Sequence, residues 1–193
     1  MTRTEVKLAG FGGQGIVLAG FILGKALSLF DNKNAVLTQS YGPEARGGAC
    51  SADVVSAEGD IDYPEVTVPH ITVIMSQEAL TTYGGNIQKN GLMLIDEDLV
   101  KMENSNKNSK IKIYSIPSTR FAEELGRKIV ANIVMLGFFT SVTDVVSIKA
   151  MKKALLDSVP KGTEQLNLSA LMKGYDFGQQ LIDTGKIKKY SIN

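Results

Sequence analysis

Glycines near the N-terminus have a spacing that suits phosphate binding. Residues 10–15 read GFGGQG, so Gly10, Gly12 and Gly15 fit the G-x-G-x-x-G pattern, after an apolar segment and before a helical one. Backbone amides in such a turn can receive a phosphate. Two alternatives are a turn that only lets a strand and a helix pack closely, and a contact with a partner subunit.

A dinucleotide site is the least favoured interpretation of this turn. Such a site also needs an acidic residue at the end of the second strand, where it holds the ribose hydroxyls. The corresponding residues here read Thr38-Gln39-Ser40-Tyr41 and contain no carboxylate. We therefore do not expect a nicotinamide cofactor.

The segment TQSYGPEARGGAC, residues 38–50, is the second candidate. Pro43 fixes one backbone dihedral and the glycines tolerate positive φ, which predicts a shaped loop. Arg46 has a planar guanidinium that matches a carboxylate or a phosphate. Glu44 could instead pair with Arg46 in a plain turn. We favour a ligand or subunit contact, because a turn alone does not need so many specialised residues.

Three further polar positions have a structural and a functional interpretation. Ser76-Gln77 precedes a helical pattern, and Ser76 is typical of a helix N-cap. Arg120 is expected near the start of a helix, where its charge opposes the helix dipole unless an anion such as Glu123 or Glu124 is close. Asn132 lies in an apolar helix, where a hydrogen-bonded structural role is the commoner one.

The elements that position these residues follow from the apolar pattern. Short apolar segments suited to buried strands occur at 6–9, 35–37, 71–75, 92–95 and 111–116, mostly separated by helical patterns. This alternation predicts an α/β fold, a three-layer α/β/α arrangement with a mostly parallel, Rossmann-like sheet. Residues 52–55 predict an extra strand, antiparallel or at an edge. We expect one domain over residues 1–193.

Helical spacing predicts two core-facing helices and two C-terminal ones. The apolar residues that define the first two are Leu18, Ile22, Leu23, Ala26 and Leu29, and then Phe121, Leu125, Ile129, Ile133 and Leu136. The C-terminal helices, from about 147 to 183, are expected at 148–159 and 166–182, separated by Pro160-Lys161-Gly162. Residues 102–110, MENSNKNSK, predict a solvated loop.

In a parallel sheet the loops after the strands meet at the carboxyl edge, where open α/β folds bind ligands. The segments expected there are 12–15, 39–48, 76–78, 96–98 and 117–120. The candidate site or interface residues are Gly12, Gly13, Gln14, Gly15, Gln39, Ser40, Tyr41, Gly42, Pro43, Glu44, Arg46, Gly47, Gly48, Ser76, Gln77 and Arg120.

Composition excludes several function classes. There are 21 basic and 20 acidic residues, so no broad charge suits nucleic acid or an anionic membrane. The longest apolar run, 129–139, is too short for a membrane span, and no signal peptide is recognisable, so we expect a cytoplasmic protein. With one cysteine and one histidine, an iron–sulfur cluster or zinc site on this chain alone is not expected.

Together these motifs resemble the γ subunit of 2-oxoacid:ferredoxin (or acceptor) oxidoreductases, the pyruvate/ketoisovalerate oxidoreductase γ domain. The resemblance spans about residues 5–183 and rests on GFGGQGI, TQSYGPEARGG, IDYPEV, MSQEA, LIDEDLV and NIVMLG in this order. The unbroken SYGPEARGG favours the 2-oxoglutarate branch over the 2-oxoisovalerate, pyruvate and indolepyruvate branches.

The resemblance implies one subunit of a larger enzyme that converts a 2-oxoacid to acyl-coenzyme A. It implies alpha, beta and ferredoxin-like delta partners that carry thiamine diphosphate, Mg²⁺ and iron–sulfur clusters, with ferredoxin or flavodoxin as acceptor. This chain would cover the active site and help form the coenzyme A pocket, with no catalytic residue or cofactor of its own. Arg46 would contact coenzyme A, the substrate or a partner subunit. A stand-alone dinucleotide-binding oxidoreductase and a non-catalytic binding module are the alternatives.

Overall fold

The computed structural model describes residues 3–41, 48–102 and 110–192. In these ranges six strands form one sheet: β1 (Thr4–Phe11), β2 (Asn34–Tyr41), β3 (Ala49–Ala57), β4 (Ile71–Ile74), β5 (Leu92–Asp96) and β6 (Lys112–Ile116). Their spatial order is β2-β3-β1-β4-β5-β6. The pairs β1–β4, β4–β5 and β5–β6 are parallel, whereas β3 is antiparallel to both β1 and β2. All strands except β3 therefore point the same way, which confirms the predicted α/β fold.

Strand β3 is the predicted extra strand. It is antiparallel, as one alternative expected, but it lies inside the sheet and not at an edge. Its register pairs Asn34 with Ala57 and Tyr41 with Cys50 on one side, and Thr4 with Ser56 on the other. Apolar and small residues suit this internal position, because eight of its nine residues are buried.

Helices cover both faces of the sheet. They are α1 (Ile16–Lys25), α2 (Gln77–Tyr83), α3 (Ser118–Glu124), α4 (Ala131–Val142), α5 (Ile148–Leu156) and α6 (Glu164–Asp183). The larger core packs α1, α4, α5 and α6 against one face. A smaller core joins α2 to the opposite face around Ala9, Ile74 and Met93. The predicted C-terminal helices are confirmed, and the break between them includes Gly162 at φ 87°.

The first helix changes geometry where the pattern predicted it to continue. A π-helical segment, Ala26–Phe30, follows α1 directly. The wider i→i+5 turns of a π-helix shift the side chains off the α-helical stripe. Ile22, Leu23 and Ala26 are buried as predicted, but Leu29, within the π-helical segment, is 62% exposed. Leu18, in α1 itself, is also exposed, so the prediction was wrong for both leucines.

The helix predicted across residues 121–136 is two helices. Helix α3 ends at Glu124, Gly126 adopts φ 86°, and a short 3-10 turn (Lys128–Val130) leads into α4. This break turns Ile129 outward to 70% exposure, whereas Ile133 and Leu136 are buried as predicted. The predicted solvated loop at 102–110 falls mostly outside the described residues.

Helix α4 is the central helix of the fold. All twelve of its residues are buried. Its contact with α6 depends on two glycines: a Cβ at Gly137 would lie 1.9 Å from the Leu171 carbonyl oxygen, and one at Gly174 would lie 1.9 Å from the Val134 carbonyl oxygen. The two backbones touch, so the position of α4 is tightly fixed.

Residues at the start of β1 form hydrogen bonds with the segment that contains IDYPEV, residues 61–66. Arg3 donates to the carbonyl oxygens of Tyr63 and Glu65 and to the Glu5 carboxylate, which also accepts the Thr67 amide. The Glu5 amide donates to Nδ1 of His70. Burial lowers the pKa of His70, which favours the neutral ring that this acceptor role requires.

Substitution of the α4 glycine tests the backbone contact. We expect Gly137→Ala to destabilise the protein by about 3 kcal/mol, since the new methyl group meets a main-chain oxygen that cannot move alone. This corresponds to a loss of roughly 6–12 °C in Tm. The matched control is Gly24→Ala in α1, where no atom lies within 4 Å of the added methyl group. A Tm for Gly137→Ala equal to that of the control would contradict the contact.

Candidate functional site

The first glycine turn is closed by its own glutamine. Between β1 and α1, Gly13 has φ 103° and Gly15 has φ 71°, conformations that L-residues rarely adopt. The Gln14 side chain folds back, where its Oε1 accepts the Phe11 amide at 2.6 Å and its Nε2 donates to the Met75 carbonyl oxygen at 2.9 Å. Gln14 thus joins the end of β1 to the end of β4.

A buried asparagine fixes the other end of this turn. Asn132, at the start of α4, donates from Nδ2 to the Gly15 carbonyl oxygen at 2.9 Å, and its Oδ1 accepts the Ile133 amide. A Cβ at Gly15 would lie 2.5 Å from Nδ2 of Asn132, so this position requires glycine. Asn132 is a satisfied structural residue, as the sequence predicted.

Strand order argues against a dinucleotide in this turn. Since β3 lies between β1 and β2, the end of β2 is about 10 Å from β1, two strand spacings away. The neighbour that reaches the carboxyl edge beside β1 is the start of β3, whose residues Ala49, Cys50 and Ser51 carry no carboxylate. Cys50 is buried, and burial raises the pKa of its thiol.

The last residue of the second candidate segment, 39–48, contacts the first glycine turn. The Gly12 amide donates to the Gly48 carbonyl oxygen at 3.3 Å. Gln39 and Ser40 are exposed near the end of β2. Gly42, Pro43, Glu44, Arg46 and Gly47 lie outside the described residues, as does the side chain of Tyr41.

Ser76 and Gln77 have structural bonds at the same edge. Ser76 Oγ accepts the Ala79 amide at 3.1 Å, which confirms the predicted N-cap of α2. Gln77 bonds to the backbone of Lys101 through both ends of its amide: Oε1 accepts the Lys101 amide at 2.8 Å and Nε2 donates to the carbonyl oxygen. Together with Gln14, these bonds tie the loops after β1, β4 and β5 into one surface.

A fully buried carboxylate, Asp96, anchors the corner formed by β5, β6 and α3. Its Oδ2 accepts Ser118 Oγ and Thr119 Oγ1, both at 2.6 Å, and the Thr119 amide at 3.1 Å. Its Oδ1 accepts the Asp98 amide. Asp96 thus caps α3, whose preceding residue Pro117 offers no capping side chain. Sequence reasoning placed residues 96–98 and 117–120 together but missed this role.

Arg120 is neutralised within the chain. Its Nη2 donates to Asp98 at 2.7 Å and to Glu97 at 3.1 Å, while its amide donates to Asp98. The hydrogen bond and charge of Asp98 raise the pKa of the guanidinium further above its usual value. The sequence had left Glu123 and Glu124 open as candidate anions for Arg120. Neither has that role here, because Glu124 accepts from Lys173 and Glu123 pairs with Lys128.

The carboxyl edge therefore holds two groups of candidate residues. The first-turn group consists of Gly12–Gly15 with Gly48 and Ser76, and it lies at the ends of β1 and β4. The Arg120 group consists of Arg120 with Glu97 and Asp98, and it lies at the ends of β5 and β6. Phe11 is 43% exposed beside the first-turn group. Within the described ranges no cluster of three or more histidine, cysteine and acidic residues could hold a metal ion. No helix in those ranges is long and apolar enough to cross a bilayer.

This arrangement agrees with a known family. The sequence pattern of the pyruvate ferredoxin/flavodoxin oxidoreductase family matches residues 5–177, most of the chain. The chain belongs to this family. The resemblance inferred from the motifs is thereby confirmed at the level of the family.

Two relatives within the pyruvate ferredoxin/flavodoxin oxidoreductase family differ clearly in their sequence identity with this chain. 2-Oxoglutarate synthase subunit KorC of Methanocaldococcus jannaschii is 53% identical over 180 residues, which is 93% of this chain and 96% of that protein. Pyruvate synthase subunit PorC of Methanothermobacter thermautotrophicus is 31% identical over 183 residues, or 89% of this chain and 94% of that protein.

A solved family structure has the same fold. The gamma subunit of keto/oxoacid ferredoxin oxidoreductase from Geobacter sulfurreducens superimposes with a TM-score of 0.84 at 36% identity. The match covers 93% of this chain and 98% of that one. The three-layer α/β fold is therefore that of an oxidoreductase gamma subunit.

The Asp96 corner can be tested without an activity assay. We expect Asp96→Asn to reduce the free energy of unfolding by roughly 3 kcal/mol, because an amide has one acceptor oxygen where the carboxylate has two. Donors at Oδ1 or at Oδ2 would then face an NH2 group. The control is Glu97→Gln, an exposed neighbour whose ion pair with Arg120 contributes less than about 1 kcal/mol. Denaturant unfolding of both variants measures the difference. Equal losses would show that Asp96 does not anchor α3.

Proposed function

We propose that this chain is the gamma-type subunit of a coenzyme A-acylating 2-oxoacid oxidoreductase that acts on 2-oxoglutarate. The assembled enzyme would oxidatively decarboxylate the 2-oxoacid to acyl-coenzyme A and pass the electrons to ferredoxin or a similar acceptor. The observation that carries the proposal is the 53% identity with a 2-oxoglutarate synthase subunit over nearly the full length of both chains. Identity with the pyruvate synthase subunit is 31%.

We assign the reacting cofactors to companion subunits. Thiamine diphosphate supplies the carbanion chemistry of decarboxylation, and iron–sulfur clusters carry the electrons. The sequence has one cysteine and one histidine, whereas a cluster takes about four thiolates. Alpha, beta and ferredoxin-like delta subunits would hold these groups, with Mg²⁺, and this chain would contribute binding surface.

The carboxyl edge is the surface that we place over the active site. Gln14 and Asn132 hold the first turn in one conformation, so Gly12 and Gly13 present backbone at a fixed position. A rigid surface of this kind suits a cover that excludes water from a reactive intermediate. The end of the 39–48 segment adjoins this turn through the bond from Gly12 to Gly48.

Arg46 is our candidate for contact with an anion. The contact would be to a phosphate of coenzyme A, a carboxylate of 2-oxoglutarate or an acidic residue of a partner subunit. Arg46 is preferred to Arg120 because Asp98 and Glu97 already neutralise the guanidinium of Arg120.

Reconstitution tests the function directly. The subunits encoded with this chain are purified together, with this chain present, omitted or carrying Arg46→Ala. Coenzyme A-dependent dye reduction is then measured with 2-oxoglutarate, 2-oxoisovalerate and pyruvate. We expect activity to require this chain and to be highest with 2-oxoglutarate. Full activity without the chain, or NAD(H) binding by the isolated chain, would contradict the proposal.

The Arg46→Ala variant distinguishes a contact of the 39–48 segment with a ligand from a contact with a partner subunit. Loss of a charged hydrogen bond to a ligand should raise the KM for coenzyme A or for 2-oxoglutarate roughly ten- to a hundredfold, with assembly intact. Arg46→Lys should restore part of this loss, and the exposed Arg127→Ala is the matched control. An unchanged KM in an intact complex would show that Arg46 does not bind either ligand, and failed assembly would assign it to the subunit contact.

A further inference from the structure

A cavity lies at the amino edge of the sheet, the edge opposite the glycine turn. It opens between the residue before β2, the end of β3 and the segment that follows α4, and its volume is about 160 Å³. Since a cavity of about 150 Å³ holds benzene, this one has room for roughly six non-hydrogen atoms. Strand β1, with its eight residues, separates the cavity from the first glycine turn by about 23 Å.

One charged residue of the lining, Asp144, is already engaged within the chain. Its Oδ1 lies 2.7 Å from Nζ of Lys189, and its Oδ2 accepts a hydrogen bond from Ser191 Oγ. The hydrogen bonds from Lys189 and Ser191 lower the pKa of the Asp144 carboxyl group, so it is ionised and paired at neutral pH. Asp144 therefore forms part of the wall of the cavity, and its charge is balanced without a ligand.

Lys33 supplies a positive charge to the cavity. Its Nζ donates to the carbonyl oxygen of Val145 at 2.8 Å, which holds the ammonium group in place. An ammonium group carries three donors, and no carboxylate oxygen of a described residue lies within 4.0 Å of this one. Lys33 can therefore donate to a molecule bound in the cavity.

Ser56 adds a buried hydroxyl group to the same lining. It is the next-to-last residue of β3 and is 3% exposed. Among the residues that the structure describes, none forms a hydrogen bond with Ser56 Oγ, and this oxygen is not fully enclosed. Buried hydroxyl groups normally have a partner, so Ser56 indicates a molecule that reaches it from the cavity.

Glu58 supplies a negative charge to the cavity. It follows β3, is exposed, and forms no ion pair with any other residue whose structure is described. Glu58 and Lys33 both line the cavity, but their charged atoms are more than 4.0 Å apart, so they do not form an ion pair. A ligand of one sign would leave the opposite charge unmatched, whereas a molecule with both charges matches both.

We propose that this cavity binds a small zwitterion, an α-amino acid with a short apolar side chain. The carboxylate of the ligand accepts hydrogen bonds from Lys33 and Ser56, and its ammonium group pairs with Glu58. The apolar part of the lining, which faces the ligand side chain, consists of Ala57, Val145 and Ile192. Alanine has about the number of non-hydrogen atoms that the volume allows. The proposal does not depend on which reaction the assembled enzyme performs.

Calorimetric titration of the full chain with L-alanine, propionate and ethylamine tests the proposal. Propionate lacks the ammonium group of alanine, and ethylamine lacks its carboxylate. We expect saturable binding of L-alanine and at least tenfold weaker binding of the other two, because each leaves one charge of the cavity unmatched. Propionate or ethylamine binding as tightly as L-alanine, or no binding of L-alanine, would overturn the proposal.

Variants of the lining show whether L-alanine binds in this cavity. Lys33→Met and Ser56→Ala should each weaken binding about tenfold or more, since each removes a charged hydrogen bond to the ligand carboxylate. Ser56→Ala should leave the Tm of the unliganded chain unchanged, because its hydroxyl group has no partner among the described residues. The matched control, Lys161→Met, removes the same charge at an exposed site outside the cavity. Unchanged binding by both lining variants, or an equal loss in the control, would overturn the proposal.

Discussion

The carboxyl edge depends on the hydrogen bond from Asn132 to the Gly15 carbonyl oxygen. Asn132 begins α4, which is buried along its whole length and is held against α6 by backbone contacts at Gly137 and Gly174. The core therefore sets the position of Asn132, and Asn132 sets the position of the first turn. Gln14 extends this constraint to β4 through Met75. Since a buried polar group left unpaired costs about 1–3 kcal/mol, the buried Asn132 side chain favours this one conformation strongly.

The same constraint gives the glycine turn, which is typical of nucleotide-binding folds, a structural role within this chain. Gly15 is required by the approach of Asn132, and a Cβ at Gly10 would lie 2.6 Å from both Gln14 and Ile16. The glycines thus satisfy packing requirements within the chain. Insertion of β3 beside β1 then removes the strand end that would carry a ribose-binding carboxylate. What remains is a rigid backbone surface suited to a companion subunit or to a ligand held between subunits.

Local patterns in the sequence predicted the strands and most helices, because apolar segments and breakers such as Pro160-Lys161-Gly162 act locally. They did not predict the internal place of β3, since strand order is decided by tertiary pairing. They also missed the outward turn of Ile129, which depends on the left-handed backbone at Gly126, and that of Leu29, which depends on a π-helical segment.

In the candidate site too, the sequence predicted local motifs but not contacts between distant residues. Glycine spacing and the Ser76 cap were recognisable as motifs. Asp96 bonds to Ser118 and Thr119 across 22 and 23 residues, and Arg120 bonds to Asp98 across 22, so their partners emerge only when β5 and β6 lie side by side.

Hydrogen exchange of the chain, alone and in the assembled complex, shows whether assembly buries the carboxyl edge. We expect assembly to protect peptides that cover residues 10–16 and 38–50. Residues around Asp144 and Tyr190, near the start of β1 at the opposite edge, should exchange as before. Protection gained at that opposite edge, with none at the first turn, would show that the carboxyl edge is not the surface that the companion subunits cover.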